Sequence, residues 1–78
     1  MPKLTTKEKK EIGWRIKEIR ELDLELTQTQ FAKELGTTQA TISRIEKGRA
    51  LPTIELLIAI SGLSGKTIDS LLPKNDDK

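Results

Sequence analysis

The stretch Thr27–Gly48, TQTQFAKELGTTQATISRIEKG, decides the fold of this 78-residue chain. It contains two short apolar-periodic segments, which follow Thr27 and Thr38, and each threonine hydroxyl can accept a hydrogen bond from a free helix N–H group. Gly36 lies between the segments and suits the left-handed conformation that ends a helix. The stretch therefore predicts two short helices joined by a turn of about three residues.

The second of these helices is predicted to have one apolar and one polar side. At about 100° per residue, Ile42 and Ile45 lie opposite a polar face without an acidic residue within it, while Glu46 lies at its edge. This polar face consists of Gln39, Ala40, Ser43, Arg44 and Lys47. Gln and Arg can form bidentate hydrogen bonds with adenine and guanine, and an Ala methyl group can contact the thymine methyl group. Any exposed helix side can carry such residues. Their position on the second helix of a capped pair is what favours DNA recognition.

Three more helices are predicted by the same pattern of a threonine before an apolar-periodic stretch. The first starts after Thr5, with Glu8 as its capping-box partner, and ends near Leu22. The fourth covers about 54–63, and a short fifth helix comes before Pro73 and contains Ile68, Leu71 and Leu72. The chain has no Val, and Trp14 and Phe31 are its aromatic residues, so sheet-forming residues are scarce.

The predicted fold class is therefore all-α, a compact five-helix domain. Residues 1–72 form this single domain, its helix-turn-helix spans residues 28–47, and residues 73–78 are predicted to be a disordered tail.

Composition excludes most catalytic and metal-binding classes. The chain has no His and no Cys, so it lacks imidazole bases, thiol nucleophiles and nitrogen or sulfur zinc ligands. It is also too short for a second lobe that closes over a substrate. We expect no enzyme, no cofactor, no metal and no small-molecule ligand. No apolar run approaches the ~20 residues of a membrane span, and no signal-type segment follows the N-terminus. We therefore expect a cytoplasmic protein without membrane association.

Positive charge is unevenly distributed along the chain. The formal net charge is +2, but residues 1–20 carry seven Lys or Arg against three Glu, a sum of +4, and residues 36–50 sum to +2. Clustered cations are typical of a protein that contacts a polyanion with part of its surface. A solvated, lysine-rich first helix would give the same charge pattern.

The chain resembles the helix-turn-helix domains of the phage repressor and Cro type, also called the xenobiotic-response-element type. The resemblance covers Ile12 to Leu72. The matching elements are Ile16–Arg20 in the first helix, Leu26–Gln28, Phe31–Ala32 and Leu35–Gly36 in the second, Thr37–Gln39 and Ile42–Gly48 in the third, then Pro52–Thr53 and Thr67–Leu72.

The resemblance implies a lambda-repressor-like fold that binds two-fold double-stranded DNA operators as a homodimer. By matched position, the residues that contact DNA bases would be Gln39, Ala40, Ser43 and Arg44. Those that contact the DNA backbone would be Gln28, Thr38, Lys47 and Arg49. Arg20 and Glu46 match a structural ion pair between the first and third helices.

The chain departs from the family pattern between the first two helices. Its segment Asp23–Leu26 is one residue longer than usual and lacks the common glycine. Ala40 also stands where many relatives have a longer polar side chain, which leaves fewer hydrogen bonds for base selection. The loop after Gly48 has Arg49 as its single cation.

Two apolar features point to a dimer or partner surface. Trp14 lies on the side of the first helix away from Ile16 and Ile19, and apolar residues cover nearly the whole circumference of the fourth helix. The predicted surface consists of Trp14, Leu56, Ile60, Leu71 and Leu72. The alternatives are a Trp14 that covers a chain terminus and a central fourth helix that is buried on all sides.

The function predicted from these features is sequence-specific regulation of transcription, as a repressor that acts by occupying its operator. The protein would act at the prokaryotic nucleoid or be encoded by a phage. An antitoxin that binds a toxin protein and autoregulates its operon is the alternative on the same fold. A structural interaction module without DNA binding is a third reading, against which Arg44 and Lys47 argue.

Overall fold

A computed structural model describes residues 4–73 of the chain. The regular secondary structure of these residues is helical. The predicted five-helix, all-α fold is confirmed. The helices are α1 (Thr6–Glu18), α2 (Gln28–Leu35), α3 (Gln39–Glu46), α4 (Ile54–Ser64) and α5 (Ile68–Leu71), and a π-helical segment, Ile19–Asp23, continues α1. Of the predicted disordered tail, residues 74–78 lie outside the described residues.

Every α-helix begins at the threonine that the sequence indicates. The hydroxyls of Thr5, Thr27, Thr38, Thr53 and Thr67 each accept a hydrogen bond from the N–H group three residues further on. Capping boxes are complete at the starts of α1 and α2, where Glu8 and Gln30 accept the reciprocal bonds. A capping side chain of this kind stabilises a helix by about 1 kcal/mol. The helix starts are therefore determined locally.

One core joins all five helices. Ile16, Phe31, Ile42, Ile60 and Leu71, one from each helix, are fully buried. Six further apolar residues are buried in the same cluster, namely Ile12, Ile19, Ala32, Ile45, Leu56 and Leu57. Because α3 packs closely against both α1 and α2, its buried side is held from two directions.

The predicted apolar surface is wrong for three of its five residues. Leu56, Ile60 and Leu71 are core residues with at most 9% of their surface exposed, so they cannot contact another chain. Leu72 is half-buried, and Trp14 is 61% exposed. The apolar residues cover α4 on all sides, and only packing decides that Leu56 and Ile60 face inward.

A close contact between the backbones of α1 and α3 depends on Gly13. A Cβ atom at this position would clash with the carbonyl oxygen of Ile45 and would lie 2.8 Å from that of Glu46. Gly13 is buried, and no other residue type fits without moving α3 away. The sequence gives no sign of this contact, because the neighbour of Gly13 on α3 lies more than thirty positions away in the chain.

The π-helical segment accommodates the extra residue between α1 and α2. A π turn contains one more residue than an α turn, and the Leu24 N–H group donates to the Ile19 carbonyl at 2.9 Å, five residues back. The Leu26 N–H group then donates to the Arg20 carbonyl at 2.9 Å. Glu25 takes the left-handed conformation with φ 56°, which favours glycine.

We expect Glu25→Gly to stabilise the domain. The left-handed conformation costs a non-glycine residue about 1–2 kcal/mol, and the added freedom of glycine in the unfolded chain offsets about 0.4–1 kcal/mol of this. The net gain of about 0.5 kcal/mol is measured as a higher urea midpoint. Glu25→Ala is the control, since it removes the same charge but keeps the Cβ atom. An equal gain in both variants would trace the effect to charge and contradict the role of the backbone conformation.

Candidate nucleic-acid interface

The helix-turn-helix is formed by α2, a three-residue turn and α3. Gly36 ends α2 in the left-handed conformation with φ 74°. The Gly36 N–H group donates to the Lys33 carbonyl at 3.3 Å, and the Thr37 N–H group donates to the Ala32 carbonyl at 2.9 Å. These bonds close the end of α2 in the manner of a Schellman motif. Thr38 then caps α3, so the turn has the predicted length.

The predicted polar face of α3 points to solvent. Ile42 and Ile45 are buried in the core. On the opposite side, four residues are exposed and Ser43 is half-buried; the exposed residues are Gln39, Ala40, Arg44 and Lys47. Arg49 is exposed in the loop that follows α3. All of the residues predicted to contact bases are thus brought together on one accessible helix side.

This face carries positive charge that is available for a ligand. Within residues 4–73, Arg44, Lys47 and Arg49 form no ion pair. The acidic residue nearest to them in sequence, Glu46, turns inward and has a side chain that is 3% exposed. Because Arg20 neutralises Glu46 inside the protein, the three cations dominate the charge at this end of α3.

The expected ion pair between Arg20 and Glu46 is present and buried. Arg20 Nε donates to Glu46 Oε2 at 2.7 Å, and Nη2 donates to Oε1 at 3.0 Å. A further hydrogen bond of 2.8 Å joins Arg20 Nη1 to the Leu26 carbonyl. The hydrogen bond to Glu46 raises the pKa of Arg20 above its ordinary value, although burial acts in the opposite direction. The pair ties α3 to the π-helical segment and to the loop before α2.

A chain of hydrogen bonds leads from this ion pair to the exposed face. Gln28 Nε2 donates to Glu46 Oε1 at 2.9 Å, and Gln39 Nε2 donates to Gln28 Oε1 at 2.7 Å. The sequence predicts Gln28 and Gln39 as separate DNA contacts and gives no sign of this link. The three residues lie on two helices and have no common sequence pattern, so only the packing of α2 on α3 brings them together.

The ion pair determines which way both amides point. An ionised carboxylate only accepts hydrogen bonds, so Glu46 must face the amino group of Gln28. The Gln28 carbonyl oxygen then faces Gln39, which must direct its own amino group inward. Gln39 keeps its carbonyl oxygen and one N–H for an outside partner, and Gln28 keeps one N–H. An acceptor beside a donor is the combination that pairs with the N6 and N7 edge of adenine.

Thr38 is less available than its predicted role requires. Its Oγ1 accepts from the Thr41 N–H at 3.2 Å and donates to Thr41 Oγ1 at 3.0 Å. A phosphate oxygen is an acceptor, so a hydrogen bond from Thr38 to phosphate would have to replace the bond to Thr41.

Other kinds of site find no support in the described part of the chain. Residues 4–73 hold no group of three or more His, Cys, Asp or Glu side chains that could bind a metal ion. None of their helices combines the length and the apolar character that crossing a membrane requires.

Comparison with known proteins identifies the family. A model of the helix-turn-helix family, of the Cro/C1 type, matches residues 16–71. The uncharacterized HTH-type transcriptional regulator MJ0272 of Methanocaldococcus jannaschii is 38% identical over 53 residues, which are 68% of this chain and 80% of that protein. No solved structure gives a significant match. The chain belongs to the Cro/C1-type helix-turn-helix family, a family of DNA-binding proteins that regulate transcription.

We expect Glu46→Ala to destabilise the domain by about 3–5 kcal/mol, because it removes the buried partner of Arg20 and leaves only the longer, exposed contact with Glu21 at 3.3 Å. Urea unfolding followed by circular dichroism measures this loss. The double variant Arg20→Met/Glu46→Leu should cost less than the sum of its single changes, since it leaves no unpaired charge.

The matched control for this experiment is Glu34→Ala. Glu34 is an exposed acidic residue of α2, and its replacement should change the free energy of unfolding by no more than about 0.5 kcal/mol. A loss of less than about 1 kcal/mol in Glu46→Ala would contradict the structural role of the pair.

Proposed function

We propose that the protein is a sequence-specific double-stranded DNA-binding repressor that acts by occupying its operator as a homodimer. The observation that carries the proposal is the exposed polar face of α3, which holds Gln39, Ala40, Ser43 and Arg44 on a helix-turn-helix scaffold. Support comes from the family and from a relative that is named as a transcriptional regulator. Repression by occupancy needs DNA binding alone, and no enzymatic activity is part of the proposal.

The exposed side chains of α3 define what each position would read in the major groove. Arg44 can donate two hydrogen bonds to guanine O6 and N7, and no protein carboxylate of residues 4–73 competes for it. Gln39 has the donor and acceptor that adenine requires, in an orientation set by Gln28. The Ala40 methyl group would contact a thymine methyl group, and Ser43 could contact either type of base pair.

The residues at the edges of this face would contact the phosphates. Lys47 and Arg49 are exposed at the end of α3 and in the loop after it. Gln28 retains one N–H at the start of α2 after its bond to Glu46. Such contacts orient the protein on the duplex without selecting its sequence. Thr38 would join them only by giving up its bond to Thr41.

Homodimerisation follows from how little one such helix can read. A single recognition helix contacts only a few base pairs, and two-fold pairing places a second one about one helical turn of DNA away. The two-fold operator would lie on chromosomal or phage DNA. We therefore expect the protein to act in the prokaryotic cytoplasm.

An antitoxin function is the second candidate. Trp14 is 61% and Leu22 is 67% exposed, and both line a cleft on the side of α1 that faces away from the core. A toxin protein could dock there while α3 binds DNA. Loss of toxin binding in Trp14→Ala, with DNA binding unchanged, would favour this candidate over a simple repressor.

The proposed function is tested by selecting bound duplexes from a randomised DNA pool at low and at physiological salt. Nonspecific binding to phosphates weakens as the salt concentration rises. Comparing the sequences selected at the two salt concentrations therefore separates this binding from sequence-specific recognition. We expect a two-fold motif with half-sites about 10 bp apart. Without an enriched motif at either salt concentration, the proposed reading of DNA by α3 fails.

We expect Arg44→Ala to weaken binding to the selected site by about 1–3 kcal/mol and to relax base choice at one position of each half-site. Titration of labelled duplexes that carry each base at that position measures both effects. Lys47→Ala is the matched control on the same helix side. It should weaken all sequences alike and lower the slope of log affinity against log salt by about one unit. Unchanged base choice in Arg44→Ala would refute the assigned role.

A further inference from the structure

The first turns of α1 pack against the turn that follows α3. Gly48 lies in this turn with φ 77°, and a Cβ atom there would lie 2.6 Å from Lys10 Cγ and 2.9 Å from Lys10 Cα. The contact between Gly13 and the Ile45 carbonyl lies about one turn further along α1. Because the order of these contacts runs in opposite directions along the two helices, the start of α1 extends beyond the C-terminal end of α3.

This packing brings together the two segments of the chain that carry an excess of positive charge, residues 1–20 and 36–50. Lys10 is exposed where the segments meet, and Lys7, which is also exposed, precedes it by three residues and lies on the same side of α1. The two cations that flank Gly48 are exposed as well. We define the α1–α3 basic patch by its four cations, Lys7, Lys10, Lys47 and Arg49.

Neighbouring acidic side chains do not neutralise the α1–α3 basic patch. In the part of the chain that the structure describes, none of its four cations forms an ion pair. Glu8 accepts a hydrogen bond of 2.9 Å from the Thr5 N–H group, and Glu11 pairs with Arg15 at 2.8 Å. These two carboxylates lie about 200° and 100° around α1 from Lys10, so they project from other sides of the helix. The charge of the patch is therefore available to a polyanion.

We propose that the α1–α3 basic patch binds the phosphate backbone of the DNA beside the groove that α3 enters, with Lys10 and Lys7 as contacts supplied by α1. This proposal rests on the proposed function, because the duplex held by α3 is the polyanion nearest to the patch. The loop after Gly48 has Arg49 as its single cation. In the folded chain, α1 adds two cations at the place where that loop has one, and they orient the protein without selecting the DNA sequence.

Lys10 has a stem that packs and a charge that can bind, and substitution separates the two. The stem lies against Gly48, so a truncation to alanine would also remove packing. Lys10→Met removes the charge but keeps an unbranched stem and a similar helix propensity. The urea midpoint should therefore stay that of the parent protein. Lys10→Arg keeps the charge and should retain DNA binding.

The salt dependence of DNA binding tests the proposal. On a duplex with one selected half-site, Lys10→Met should lower the slope of log affinity against log salt by about one unit. The loss of affinity should be about fivefold at about 0.15 M salt. The double variant Lys7→Met/Lys10→Met should lower the slope by about two units, and Lys10→Arg should keep the parent slope. Fluorescence anisotropy of a labelled duplex, titrated at several salt concentrations, measures these values.

Lys33→Met is the matched control. Lys33 is exposed in the last turn of α2, next to the turn that leads into α3, and it forms no ion pair within the described residues. The patch lies at the other end of α3, about 12 Å away along a helix of eight residues. Lys33→Met changes the net charge as Lys10→Met does and should leave the slope unchanged. An equal fall in both variants would trace the effect to net charge and overturn the proposal.

Neutral methylphosphonates at single positions of the duplex locate the contact. One substitution should weaken binding of the parent protein and leave that of Lys10→Met unchanged, because two changes that remove the same contact are not additive. Equal losses for both proteins at every position would show that Lys10 contacts no phosphate and would overturn the proposal.

The same measurements separate failure of the patch from failure of the proposed function. If a motif is selected and Lys10→Met keeps the parent slope, the patch is overturned while DNA reading by α3 stands. If no motif is selected but the parent protein binds random duplexes with a slope that Lys10→Met lowers, the patch is supported and the proposed sequence-specific function fails.

Discussion

The buried ion pair between Arg20 and Glu46 is the interaction on which the rest of the structure depends. Two charges removed from water must be paired, because either one alone would cost several kcal/mol. The pairing with bonds of 2.7 and 3.0 Å restricts where α3 can lie relative to the π-helical segment. Arg20 also holds the Leu26 carbonyl, so the loop that leads into α2 is positioned by the same group. One guanidinium group thus sets the relative position of both helices of the helix-turn-helix.

Rigid support of α3 matters because base recognition requires side chains held at defined positions. Three kinds of contact supply it: the backbone contact at Gly13, the buried side of α3 in the core, and the ion pair. The hydrogen bonds through Gln28 extend this order to Gln39 on the exposed face. The scaffold and the proposed base-reading residues are therefore parts of one network.

In α4, the hydrophobic pattern predicts a helix but does not predict which of its sides is buried. With apolar residues on all sides, its sequence is compatible with burial on every side or with a contact to another chain. Packing assigns Leu56, Leu57 and Ile60 to the core and leaves Ile54 and Ile58 outside. Two of the residues wrongly predicted to lie on the surface, Leu56 and Ile60, follow from this ambiguity, since a residue type alone does not say which side of a helix another helix will cover.

The sequence by itself determined the helix starts, the glycine ends of α2 and α4, the turn and the polar face of α3. Caps and glycine ends act through hydrogen bonds between residues three to five positions apart, and the two sides of a helix follow from its period. Only the tertiary structure decided the π-helical turn with Glu25 in the left-handed conformation, the contact at Gly13, the exposed side of α4 and the link from Glu46 through Gln28 to Gln39. These features depend on residues that are far apart in the chain, and such pairs meet only when the core brings the helices together.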